Sequence, residues 1–456
     1  MYDLVVRSDR ILVGEEFLRG WIAVKGGVVA ALGESEPPEA VRAIDAREDL
    51  VLPGMIDSHM HIRYPGHPER ETWETGSGAA AAGGVTTLIE MPISVPPVHS
   101  GEILRARIAA VEGRSAVDYA FYAGGGFEAL DAFQEQRDAG AVAYKIFMHR
   151  PQAGREHEFT GLYTTEDGDL LASFRRLAEI GLPVCLHAET DSILEIERER
   201  LVASGRRDAA AHAESHPVVA ETTAIARVIL IAAQTGARVS ICHLSSGAGL
   251  HLLREARRAG VDIHVETCPH YLVFTEDDFA RIGPEAKINP PLRTRADNEA
   301  LWEGLRDGTI DFVGSDHAPF APEEKERGRS DIWHAPSGAP GIEMTFPILA
   351  KGVAEGRIDW RGFARLTSAG AAGFFGLPSK GGLVPGRDAD LIVVDDRTPQ
   401  TISVDRLHTK SRGTAQLFEG FEYPSTLRMT VLRGEVVYAE GEVRGKYGRL
   451  LRPAGA

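Results

Sequence analysis

Four fragments able to do metal chemistry lie in chain order, each at the end of an apolar run: His59-Met60-His61, Lys145, the separate histidines His187 and His243, and Ser315-Asp316-His317. Residues two apart on a strand share a face, so His59 and His61 can offer both imidazoles to one cation. His187 closes Pro183-Val184-Cys185-Leu186 and His243 closes Val239-Ser240-Ile241-Cys242. At equivalent ends of neighbouring strands these two can share a second cation. Asp316 follows Phe312-Val313-Gly314-Ser315. A carboxylate in so apolar a run is costly unless a metal or a proton donor pairs with it, which makes Asp316 a candidate ligand and proton carrier. Lys145, between Tyr144 and Ile146-Phe147-Met148, has two readings. It either reaches the mouth of the site to pair with an acid, or is desolvated and adds carbon dioxide to become a carbamate whose oxygens bridge two cations. Each fragment alone is weak, but the ordered set makes a complete two-metal hydrolase site.

The elements that must position these groups are legible as an alternation. Strand candidates fall at 51–58, 85–91, 117–123, 141–147, 182–188, 237–244, 262–268 and 311–316. Between them lie segments with apolar residues at helical spacing, such as Leu170 to Ile180 and Leu250 to Ala259. A doubly wound open sheet shows the same local pattern, but eight strand and helix units favour a (β/α)8 barrel, whose catalytic groups sit at the carboxyl ends of the strands. Residues 1–50 and 383–456 read differently, as short alternating strands parted by glycine turns such as Arg433-Gly434-Glu435. They are expected to pair as one small β-sandwich domain beside a barrel domain spanning 51–382.

With 50 Lys and Arg against 66 Asp and Glu, the net charge is -16, which offers no basic surface for nucleic acid and points to a small-molecule partner. Its three cysteines, Cys185, Cys242 and Cys268, lie inside apolar runs, as reduced thiols in a cytoplasmic protein do. The N-terminus does not read as a signal peptide, and no stretch is expected to reach the ~20 apolar residues of a membrane helix.

The ligand set, together with Val51-Leu52-Pro53-Gly54-Met55-Ile56-Asp57 before it and Gly382-Leu383-Val384-Pro385-Gly386-Arg387-Asp388-Ala389-Asp390 after it, resembles the cyclic amidohydrolases. These include allantoinases, hydantoinases, dihydropyrimidinases and dihydroorotases, and the likeness covers essentially the whole chain. It implies two divalent metals, usually zinc, bridged by an N-carboxylated Lys145. His59, His61 and Asp316 would hold the deeper metal, and His187 and His243 the other. It further implies hydroxide attack on a ring carbonyl, proton delivery by Asp316 to the leaving nitrogen, and a homo-oligomer, dimer or tetramer.

Toward dihydroorotase point Arg63 and Asn289, the arginine and asparagine that hold substrate in that subfamily. Against it, Ile93-Ser94 and Phe320 stand where further donors are expected. Toward allantoinase and the hydantoinase acting on L-type substrates point Trp73-Glu74-Thr75-Gly76, Ile89-Glu90-Met91-Pro92 and Glu266-Thr267-Cys268-Pro269-His270. Arg150 replaces the tyrosine of the dihydropyrimidinase pattern. A ureide or hydantoin ring is the resulting expectation. A non-catalytic scaffold of the same fold would lack ligands, yet all six are present. A mononuclear deaminase would use a glutamate such as Glu189 and lack Lys145. The segment Phe320 to Gly341, charged and rich in Pro and Gly, reads as a lid over the site or a solvated loop. His270 and Ser245 lie near strand ends, with positioning and purely structural roles both open.

Overall fold

The computed structural model describes residues 1–453. The chain opens with β1 (Tyr2–Val13), β2 (Glu16–Lys25), β3 (Val28–Gly33) and β4 (Ala40–Pro53). Eight short strands follow: β5 (Met55–Met60), β6 (Val85–Glu90), β7 (Asp118–Gly124), β8 (Ala143–Phe147), β9 (Val184–His187), β10 (Val239–Ile241), β11 (Ile263–Thr267) and β12 (Phe312–Val313). They run parallel in sequence order, and a bridge from Met60 to His317, with the His61 amide donating to the His317 carbonyl at 2.8 Å, closes the ring. Apart from His264, every residue of these strands is buried, as a sheet covered by helices outside and filled by side chains inside requires. The helices supply that cover with apolar faces: Asp167–Ile180 turns Leu170, Phe174, Leu177 and Ile180 onto the barrel. It ends at Gly181, where φ is +77°, a conformation that a residue without a Cβ adopts at least cost.

The C-terminal strands are β13 (Leu391–Asp395), β14 (Gln400–Thr401), β15 (Glu422–Tyr423), β16 (Thr426–Leu432), β17 (Glu435–Ala439) and β18 (Glu442–Val443). Both chain ends build one sheet in the order β18-β17-β16-β13-β4-β1-β2-β3, which forms the small sandwich beside the barrel. Late strand β13 lies antiparallel between β16 and early strand β4, pairing Leu391 with Pro53 and Val393 with Val51. Leu4, Val6, Ile22, Val24, Val51, Leu391 and Val431 form its core. Where this unit meets the barrel, the Lys380 ammonium donates to Asp118 and Asp390 at 2.6 Å and lies 3.0 Å from Asp388.

Two expectations are corrected. The run 51–58 is not one barrel strand: residues up to Pro53 pair in the sandwich and the barrel strand starts at Met55. The chain changes sheets at Gly54, where a Cβ would lie 2.4 Å from the Thr86 hydroxyl. A stretch long and apolar enough to cross a membrane does occur, at Ala209–Thr235, with mean hydropathy 1.4. Its helix is interrupted before Val218, and Val218–Thr235 packs Ala220, Ala224, Ile225, Val228 and Ala232 inward, so here the apolar composition serves a barrel helix.

Candidate metal centre

His59 and His61 leave the end of β5 on one side, and Asp316 arrives just beyond β12. The three ligand atoms lie within 4.8 Å of one another, with His59 Nε2 3.3 Å and His61 Nε2 3.4 Å from Asp316 Oδ1. His187 at the end of β9 and His243 just past β10 meet with ring centroids 4.5 Å apart, and His243 lies 5.2 Å from His59. Lys145, in β8, is fully buried, and its Nζ has no hydrogen-bond partner. The sequence-derived ligands thus converge from five strands on one end of the barrel.

The backbone bends to deliver them. His243 and Asp316 have φ of +37° and +47°, and Arg63 +59°, left-handed values that side chains other than glycine adopt at a cost of ~1–3 kcal/mol each. Carboxylates brace these residues. Asp57 accepts from the amides of His59 at 2.8 Å and Ser315 at 3.2 Å, tying the two loops together. Glu266 accepts from Ser58 Oγ at 2.6 Å and from the His243 amide at 3.3 Å, and meets His59 Nδ1 at 2.6 Å. Gly314 permits this approach, since a Cβ there would lie 2.7 Å from the Glu266 carboxylate. Glu189 meets His187 Nε2 at 2.7 Å and His216 Nδ1 at 2.9 Å. Carboxylates behind ligand histidines fix ring orientation and tautomer. These three acids were not singled out as site residues in the sequence, although Asp57 and Glu266 carry the signal that marked Asp316, a carboxylate inside an apolar run.

Charge in the site follows from burial. Burial lowers the pKa values of His61 and His243 well below the imidazole value, and lowers that of His187 too although Glu189 opposes it. Neutral imidazoles are the form that binds a cation. Burial also works against protonation of His59, but the carboxylates of Glu266 and Asp316 with the Cys242 contact together outweigh it and raise the pKa to about 10. Burial raises the Asp316 carboxyl to about 6, against the pull of His59. The donor set fits divalent cations: Lys145 Nζ and His243 Nδ1 are buried without partners, and the remaining donors are imidazole and carboxylate.

Above the candidate ligands lies a cavity of about 90 Å³ lined by Arg63, Ile93, Phe147, His149, Arg155, Phe159 and Asn289 among others. His149, Gln152, Asn289 and Ser337 also line an outer chamber of about 320 Å³. Both sequence-derived substrate contacts therefore reach the cavity. Asn289 Oδ1 is buried without a partner, as is Arg63 Nε, while Arg63 Nη1 donates to the Pro319 carbonyl at 2.9 Å. Ser94 Oγ donates to the Arg63 carbonyl, and Phe320 is stacked 4.5 Å from the Arg63 guanidinium. Arg155 forms a fork to Glu158 at 3.0 and 2.6 Å. The 320–341 segment is tied down as a wall. Lys325 Nζ donates to the Lys287 and Pro336 carbonyls, and Lys287 Nζ to those of Ile332 and Ala335. Ser245 belongs to a structural network with Glu221 and Arg293, and His270 is buried outside both cavities.

A family model described as the amidohydrolase family matches residues 50–437. The chain belongs to the amidohydrolase family. It is 35% identical over 452 residues to an L-hydantoinase of Paenarthrobacter aurescens, covering 98% of this chain and 97% of that protein. It is 36% identical over 455 residues to an allantoinase of Rubrobacter xylanophilus, covering 99% and 98%. The solved L-hydantoinase (dihydropyrimidinase) from Arthrobacter aurescens superposes with a TM-score of 0.94 at 34% identity, over 99% of this chain and 100% of that one. This amidohydrolase is accordingly a metal-dependent hydrolase of the allantoinase and hydantoinase kind, acting on a cyclic amide.

Proposed function

We propose that this amidohydrolase opens a ureide or hydantoin ring in preference to dihydroorotate, using two divalent cations, zinc by the chemistry of the donors. His59, His61 and Asp316 would hold one cation, His187 and His243 the other, with a carbamate formed on Lys145 serving both. Bound there, the cations supply an activated water and polarise the ring carbonyl. The protein's own groups do the rest. Glu266 and Glu189 hold His59 and His187 in their ligating orientations. The Asp316 carboxyl, with a pKa raised to about 6 by burial, accepts the proton released on attack and hands it to the leaving ring nitrogen. Ile93, Phe147 and Phe159 give the cavity an apolar wall that limits competing water.

The observation that carries the substrate preference is how the donors at the mouth are already used. Ser94 is taken by a backbone carbonyl, Phe320 covers the Arg63 face, and Arg155 is neutralised by Glu158. The Arg63 Nε edge then stands with the neutral groups Asn289, His149 and Ser337 around a substituent, a set that matches a carbonyl and an amide better than a carboxylate that needs several charged donors. The cost to a carboxylate is ~1 kcal/mol or more, about tenfold in selectivity. Turnover of allantoin, hydantoins, dihydropyrimidines and dihydroorotate by protein purified without chelator tests the reading. The highest kcat/KM on dihydroorotate, or full activity with one metal per chain, overturns it. We propose also that the sandwich, residues 1–50 with 383–456 extended by β4 to Pro53, and the barrel that follows it to residue 382 act as two domains, and that the protein works as a cytoplasmic homo-oligomer.

A further inference from the structure

At the opposite end of the barrel from the metal ligands, a cleft of about 1040 Å³ opens against the sandwich. Its floor is formed where Leu305 and Arg306 end the helix Arg295–Asp307, and by Val353, the turn Gly356 to Asp359, and Trp360 to Arg365. Its other wall comes from the β1–β2 turn at Gly14 and Glu15 and from the link Gly381 to Arg387.

Five arginines line this cleft, against Glu15 and Asp359, in a chain whose net charge is -16. Two of the five are occupied. Arg357 forms a fork to Glu299 at 2.7 and 3.0 Å, and Arg361 donates to the Glu15 carbonyl at 2.6 Å and lies 3.6 Å from Asp359. Among the described residues, Arg306, Arg365 and Arg387 have no carboxylate within 4.0 Å. Arg365 is half-buried and gives one N–H to the Leu305 carbonyl at 2.6 Å. Arg306 is exposed and Arg387 half-buried, so the cost of desolvating a guanidinium that has no ion-pair partner falls chiefly on Arg365, and an anion entering the cleft would relieve it. One carboxylate is satisfied by one guanidinium fork; three spare guanidiniums suit the several oxygens and the double charge of a phosphate. Ile358, Trp360 and Val384 add an apolar wall that inorganic phosphate would leave unused.

We propose that this cleft binds a small organic phosphate, with its phosphate on Arg306, Arg365 and Arg387 and its apolar body against Ile358, Trp360 and Val384. The test is calorimetric titration of the metal-loaded enzyme with adenosine 5'-monophosphate as probe, alongside inorganic phosphate and adenosine at the same ionic strength. The nucleotide should bind more tightly than either. The double substitution R306E/R387E, on side chains away from the metal centre, should weaken it at least about tenfold. Unchanged ring-opening kcat/KM of that variant serves as its fold control; if it does not fold, R306Q replaces it, with a smaller loss expected. Absence of nucleotide binding at millimolar concentration overturns the proposal. So does binding that survives the substitutions, which would mean the phosphate sits at the metal centre. Equal affinity for inorganic phosphate overturns the organic part.

Discussion

Replacing Glu266 by glutamine removes a charge from behind His59 while keeping shape. Glu266 is 1% exposed and serves Ser58 Oγ, the His243 amide and His59 Nδ1, the first and last at 2.6 Å. The carbonyl of the introduced side-chain amide would still accept from one of these donors, but its NH2 group would meet another head-on. The bond to His59 falls from charge-assisted to neutral or is lost, a change of about 1–2 kcal/mol. His59 also loses the carboxylate that makes its other nitrogen a stronger donor to a cation, and partners of this sort are worth roughly 10–100-fold in metal affinity. Glu266→Gln should therefore fold, lose metal at a chelator concentration about 10–100-fold lower than the parent, and recover most activity in excess metal. Metal content measured after dialysis against graded chelator reads this directly. Retention within about twofold would refute the assignment of Glu266 as the group that positions His59.

Lys145→Ala should lose metal and activity together, with partial recovery on adding a short carboxylic acid; unchanged metal content would make the lysine purely structural. Lys380→Met leaves Asp118, Asp388 and Asp390 facing each other, and denaturant unfolding should show a loss of about 3 kcal/mol, with turnover per folded molecule unchanged. A loss below about 0.5 kcal/mol would mean that Arg433 and Arg449 already neutralise the cluster. Against the opposing effect of burial, the fork from Arg155, helped by the charges of Arg63 and Arg70, holds the Glu158 carboxyl down to about 2. This depressed carboxylate contributes stability that is present above its unfolded value near 4.5 and lost as pH falls toward 2. Glu158→Gln should thus be destabilised at pH 6 by up to about 3 kcal/mol, and unfolding curves of the two proteins should converge at low pH. A gap that does not narrow below about pH 4.5 would refute the linkage.

Much of the barrel and of the ligand set was legible because both rest on local signals. Each of His59, His187, His243 and Asp316 ends a run whose apolar character marks it as a buried strand, and fold and site were read from the same feature. What escaped depends on contacts far apart in the chain. Glu266 meets His59 across 207 positions, and nothing near either residue announces the pairing. The run 51–58 looked like one strand because both of its halves are buried, although they belong to different sheets. The charges of Phe320 to Gly341 do not tell a lid from a loop, because what anchors the segment is the pairing of the Lys325 and Lys287 amines with backbone carbonyls.

Because β13 threads between β4 and β16, the first fifty residues cannot complete their sheet when they leave the ribosome. The free edge of β4 must wait for residue 391, and the partners of that strand are held apart by the whole barrel. During synthesis the nascent chain carries an unpaired strand edge, the kind of surface that recruits other chains. Translation speed before β13 emerges, and chaperones acting until then, should therefore affect the yield of this protein.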